Sequence, residues 1–223
     1  MVRVILTGLL VSCGIWAAPV GRAYPVTCPP TCDQIPATAW PAPSTLPLNP
    51  TSHWPLLAGL AVPAPQPRFL FETLCGTQRV PDDPRLYAVA ATAEALAPAG
   101  QWQLRAQILH WRGETWRGGE LAMSVFDEAS AALRACQPHE AEPASVITTT
   151  AEDGRLAAQL PGPVLVHQYL LAHPESSTIA ELVFWAAPGL DGQPAVPWPD
   201  PPDAQVFEAM ETPLCGAYLS SCG

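Results

Sequence analysis

The chain has 223 residues, 48% of them hydrophobic, and sets 10 basic side chains against 20 acidic ones for a formal net charge of −10. That length and apolar content suffice for one domain with an ordinary core plus an appendage. A surface of that sign repels phosphate backbones, which argues against nucleic acid as a partner. All ten bases are arginine, and the lack of lysine beside abundant Ala and Pro reads as a high-GC, actinobacterial coding bias.

The first residues have the layout of a secretory signal peptide, expected at 1–23: Arg3, the apolar run Val4-Ile5-Leu6-Thr7-Gly8-Leu9-Leu10-Val11, and the small-residue exit Gly21-Arg22-Ala23. Removing it takes Arg3 and Arg22 and leaves 20 acids against 8 bases. Leu10-Val11-Ser12-Cys13 offers a second outcome, because it matches the box after which bacterial lipoproteins are cut and acylated, and would leave the protein lipid-anchored at the cell surface through Cys13. An uncleaved span needs about 20 apolar residues, and Gly14 and Pro19 interrupt this run, so no membrane span is expected in the mature chain.

Residues 24–67 hold 12 prolines in 44 positions. Proline removes amide donors and fixes φ, so this stretch is expected as an extended, polyproline-like arm. It also carries Trp40, Trp54, Leu56, Leu57, Leu60 and Val62, too apolar for a free spacer, so part of it should lie against the folded domain or meet a partner.

The folded domain is expected over 68–223. Phe69-Leu70-Phe71 leads into Cys75, and the alanine-rich stretch 86–96 fits helix or strand, with Asp82-Asp83-Pro84 before it as a helix start that tips the reading to helix. Over 101–111, Trp102, Leu104, Ala106 and Ile108 alternate with Gln101, Gln103, Arg105 and Gln107, the period of a strand with one buried and one wet face. A glycine-rich loop follows, and 120–136 has helical spacing, with Ala122, Val125, Phe126, Ala129, Ala132, Leu133 and Cys136 on one stripe. Residues 146–150 are β-branched and end in an Asp153-Gly154 turn. The runs 164–171 and 179–185, joined by His173-Pro174-Glu175-Ser176-Ser177, predict a hairpin. After a second proline-rich loop over 188–202, Asp203 opens a short helix to about Met210. Local hairpins without regular alternation predict an α+β fold: an antiparallel sheet with helices packed on one face, disulfide-stapled, plus the extended proline-rich N-terminal arm.

Several of these segments together resemble the extracellular sensor domain of mycobacterial PknH-type kinases and their secreted or lipoprotein relatives. They are the 102–110 strand, Ser124-Val125-Phe126-Asp127-Glu128-Ala129 running to Arg134-Ala135-Cys136, the pair Val164-Leu165-Val166-His167-Gln168 and Glu181-Leu182-Val183-Phe184-Trp185, and the late Leu214-Cys215. The resemblance covers 68–222 and departs from the family in the arm with Cys28 and Cys32. It implies an extracellular two-layer fold with paired disulfides around a cleft and a ligand-binding role, and it implies no reaction.

Without Cys13, six cysteines remain: Cys28, Cys32, Cys75, Cys136, Cys215 and Cys222. In an oxidising compartment they form up to three disulfides, and 15 connectivities are open. Cys28 with Cys32 is favoured by the closing prolines between them, Cys75 with Cys136 because it ties the domain entrance to the end of the main helix, and Cys215 with Cys222 as the remainder. The Cys28 to Cys32 spacing also falls within structural-zinc spacings, but export favours disulfides.

The most site-like stretch is the loop with Trp111, Arg112, Trp116 and Arg117, whose indoles could stack on a sugar and whose guanidinium forks could clamp an anion. The competing expectation is that the tryptophans anchor the loop and the arginines are solvated. His139, Glu140 and Glu142 fall in an acidic loop, and His110, His167 and His173 show no ligand spacing. No serine sits in a nucleophile elbow, so the reading leans away from an enzyme and expects neither cofactor nor metal. The function expected is a secreted, non-catalytic domain binding a small amphiphile, a glycan or a cell-envelope protein in a cleft between sheet and helices. A secreted hydrolase with a spatially assembled site, or an interaction protein docking through its arm, is the alternative.

Overall fold

A computed structural model describes residues 32–98, 100–136, 145–149, 152–160, 162, 164–187, 194–218 and 221–222. In chain order they form α1 (Asn49–Ser52), α2 (Leu57–Leu60), β1 (Val62–Pro63), α3 (Leu70–Leu74), β2 (Val89–Ala95), β3 (Gln103–His110), α4 (Thr115–Arg134), β4 (Val146–Thr149), β5 (Arg155–Leu160), β6 (Leu165–His173), β7 (Thr178–Ala186) and α5 (Asp203–Ala217). The strands make one antiparallel sheet in the order β1-β2-β3-β7-β6-β5-β4. After β3 the chain runs through α4 to the far edge, and the β4–β7 meander returns to lie beside β3.

The predicted hairpin is present, in register from Leu165↔Ala186 to His173↔Thr178, and it turns through Pro174–Ser176 with Ser177 in the left-handed region at φ 53°. The α+β fold, the antiparallel sheet and the staples Cys75–Cys136 and Cys215–Cys222 are all there. The Cys75–Cys136 bridge spans a sequence separation of 61 and closes the longer loop, contributing about 4 kcal/mol by chain entropy. Cys32 is disulfide-bonded, and Cys28 lies outside the described residues, as do Cys13, the signal segment, His139, Glu140 and Glu142.

The two long helices take opposite faces. On one face α4 packs Ala122, Val125, Phe126, Ala129 and Leu133 against Leu156, Leu170, Ile179 and Val183. On the other, Val206, Phe207, Met210 and Leu214 of α5 share a core with Leu104, Ile108, Leu182 and Phe184. Residues 32–67 complete that second layer, burying Trp40, Leu46, Leu48, Trp54 and Leu57 in it. Trp54 also donates its indole N–H to the Pro47 carbonyl at 2.7 Å.

Three local expectations change. Residues 86–96 are not a helix: Asp83 caps the backbone N–H of Arg85 at 2.9 Å as a helix start should, but the turn Pro84–Tyr87 ends at once and Val89–Ala95 pairs with both β1 and β3. Pairing on both sides overrides alanine's weak local preference. Secondly, the polar face of β3 is not wet. Gln107 is buried, and it donates to the Arg68 carbonyl at 3.2 Å while Arg105 donates to the same oxygen at 2.9 Å. Glu181 on β7 accepts from the Leu70 N–H at 2.6 Å and from Gln168 at 3.1 Å, so this row supplies partners for backbone groups that would otherwise be buried unpaired. Thirdly, α4 begins at Thr115 and not near Glu120, so Gly118 and Gly119 are helical. A Cβ on Gly118 would lie 2.3 Å from Cβ of Ser177, and one on Gly119 would lie 2.9 Å from the Pro174 carbonyl. The glycines let the helix touch the β6–β7 turn rather than flexing a loop.

Candidate functional site

The proposed ligand residues divide. Trp111 is core: it is buried and donates its indole N–H to the Pro84 carbonyl at 3.0 Å. Arg112 is exposed and pairs with Asp33 of the arm. Only Trp116 and Arg117 come together, on the first turn of α4, with the guanidinium 5.2 Å over the indole centroid. Trp116 is 60% exposed and borders a broad groove of about 920 Å³ with Met123, Asp127 and Glu175.

A smaller cleft, about 250 Å³, holds more chemistry; His167, Tyr169, Trp198, Asp200 and Asp203 line it. Strand periodicity puts His167 and Tyr169 on the same face of β6 as the second core layer. The proline-rich segment before α5 is folded down over that face because Trp102 donates its indole N–H to the Val196 carbonyl at 2.7 Å. Trp198 then stacks on His167 with ring centroids 3.9 Å apart and planes 12° apart, and it meets Trp102 at 5.1 Å and Phe184 at 5.3 Å. Tyr169 stands edge-on to Phe207 at 5.8 Å.

The polar groups come from the start of α5. Asp203 is in its first turn, where a carboxylate complements the helix dipole, and it accepts from the Thr149 hydroxyl at 2.5 Å. Asp200, exposed, adopts φ 52°, a left-handed conformation that Asp tolerates better than most residues. Burial among the aromatic rings holds His167 down to about 4 against the upward pull of Asp200 and Asp203, so its imidazole is neutral at pH 7. Burial, and then the Asp203 carboxylate facing its hydroxyl, pushes the Tyr169 phenol above its usual range. Among the described residues no arginine lines this cleft, which leaves two carboxylates, a phenol and a neutral imidazole against an aromatic wall. That set accepts hydrogen bonds and cations, and it has no activated nucleophile.

His167 does not stand out in the sequence because His167 and His173 are not at ligand spacing. Its partners are more than 30 positions away, and the usable signal was the strand period that puts His167 and Tyr169 on one face. Among the described residues no helix is long and apolar enough to cross a membrane. No known protein family, curated protein or solved structure matches this chain.

Proposed function

We propose that the protein is an exported, disulfide-stapled binding domain whose cleft takes the cationic or amine-bearing head of a small amphiphile, such as a component of the cell envelope. The carrying observation is the convergence of Asp200 and Asp203 on a cleft walled by Trp198, a neutral His167 and Tyr169 and, among the described residues, without an arginine. An ammonium head gains from carboxylates and from an indole face, and the flanking Pro201, Pro202 and Ala158 offer apolar surface to the start of a tail. At about 250 Å³ the space suits a head group, below the usual size for a whole drug-like ligand. Export is supported by the signal-like start and by the disulfides, which persist in oxidising compartments. The resemblance to sensor-type extracellular domains supports a binding role in the same way.

Calorimetric titration with n-hexylamine and with n-hexanol tests the head-group choice. The amine should bind at least tenfold more tightly than the alcohol, and Asp200→Asn should remove most of that difference. Equal binding of the two, or an Asp200→Asn protein that still prefers the amine, contradicts it. Turnover of ester, glycoside or peptide substrates at this cleft would favour the hydrolase reading instead.

A further inference from the structure

His173 lies at the other end of β6 from His167, six residues and so about 20 Å away along the strand. Its surroundings are unrelated to the cleft. Among the described residues, His173, Cys215 and Cys222 each bring one ligand atom within 4.8 Å of the others. The imidazole is buried and oriented. Ser176 donates its hydroxyl to the His173 carbonyl at 3.1 Å, so its oxygen is left to accept from Nδ1–H of the ring at 2.7 Å. That fixes the tautomer, with the Nε2 lone pair aimed at Sγ of Cys222, 3.6 Å away. A zinc-class ion bonded to nitrogen at about 2.05 Å and to sulfur at about 2.3 Å in tetrahedral geometry separates those two atoms by about 3.5 Å. The histidine and Cys222 already have a metal-bridging separation. An imidazole held by a hydrogen bond on its far nitrogen is also the usual support for a metal-binding histidine.

We propose that reduction of the Cys215–Cys222 disulfide by a dithiol opens a three-ligand site for a thiophilic divalent cation of the zinc class, with His173 as its nitrogen ligand. The reductant's two thiols become a disulfide, and Cys215 and Cys222 each gain one electron and one proton. Metal capture then releases both thiol protons to solvent and forms two metal–sulfur bonds and one metal–nitrogen bond, leaving a fourth position for water. The sulfurs must part to about 3.8 Å. Cys222 is exposed and Cys215 is in the last turn of α5, so the movement falls on Cys222. The disulfide acts as the latch: while it is closed the thiolates do not exist and the site is shut. The inference does not depend on the cleft's ligand.

The test is anaerobic titration of the dithiol-reduced, desalted protein with Co²⁺, followed by near-ultraviolet thiolate-to-cobalt absorption, with Zn²⁺ competition for affinity. One Co²⁺ per chain should bind, at least a hundredfold more tightly than to the oxidised protein. His173→Gln should weaken binding at least tenfold. Identically reduced Cys215→Ser/Cys222→Ser should lose the absorption, which separates this site from thiols freed elsewhere. Unchanged binding in either variant overturns the proposal. If full reduction unfolds the chain, the oxidised Cys215→His/Cys222→His protein, with Cys75–Cys136 intact, decides the matter. It should take one Ni²⁺ and lose it on adding His173→Ala, and failure to bind Ni²⁺ contradicts the geometry.

Discussion

Buried histidines and one buried glutamate pull the stability of this protein in opposite directions with pH. His110 is 4% exposed, donates Nδ1–H to the Ser176 carbonyl at 2.9 Å and stacks on Tyr218 at 4.5 Å. Burial holds it down to about 4, as it does His167. The unfolded chain takes up those protons near pH 6.5 while the folded chain refuses them. Their contribution is therefore complete above about pH 6.5 and is lost as pH falls toward 4, up to about 3 kcal/mol for His110. Glu181, fully enclosed, is pushed up to about 7 by burial against the opposing pull of Arg105 and the Leu70 N–H. It adds stability below its unfolded value of about 4.5 that disappears as pH rises through 7. Urea unfolding between pH 6.5 and 4.5 should thus show stability falling in the native protein, falling less in His110→Gln and falling more in Glu181→Gln. A pH profile unchanged in both variants would show that these groups are not buried as described. His110 and His167 fall on predicted strands, but what covers them is not local, because their burial depends on Tyr218 and Trp198 arriving from far along the chain.

Among the elements, α4 and the β6–β7 turn meet with no room to spare at Gly118 and Gly119. Gly118 has no room for a side chain against Ser177, so Gly118→Ala should destabilise by about 1–3 kcal/mol through overpacking, even though alanine favours helix. In Gly113→Ala the added Cβ meets no atom within 4 Å, but φ is 107°, so that loss comes from backbone strain alone. Chemical denaturation of the two variants checks this, and a stabilised Gly118→Ala would mean that helix and turn are not in contact. The elements that the sequence revealed are those with one clear period: β3 and its alternation, α4 and its apolar stripe, and the β6–β7 pair with a proline turn between. β2 and β5 carry no clear period, because Val89–Ala95 and Arg155–Leu160 are rich in alanine and send residues into the cores on both faces, leaving only Glu94 and Gln159 exposed. The short helix expected from Asp203 to about Met210 runs on to Ala217, with Pro213 inside it. The cleft was legible only as a place between sheet and helix, since its carboxylates and its imidazole meet through the fold of a proline-rich segment with no period of its own.

At the scale of the molecule, one sheet is covered twice, by α4 on one side and by α5 with residues 32–67 on the other. Trp40, Leu46, Leu48, Trp54 and Leu57 of the arm are spent inside the protein, while Leu56 and Leu60 stay exposed. Proline suits that use, because a segment of short turns with few amide donors can lie on an apolar face with few unpaired groups to bury. The proposed export makes a further prediction: the intact mass of the native product should correspond to a chain beginning at Tyr24, with its cysteines oxidised. A chain beginning at Cys13 with an added acyl mass would move the protein to the cell surface, and one retaining Met1 with alkylatable cysteines would overturn export. Beyond localisation, the decisive point is where a small cation settles. Backbone amide shifts in a ¹⁵N-labelled sample titrated with n-hexylamine locate it directly. Saturable changes confined to residues 158–169 and 196–205 are predicted, and changes centred on residues 115–128 beside Trp116, or none at all, would contradict the assignment of the cleft.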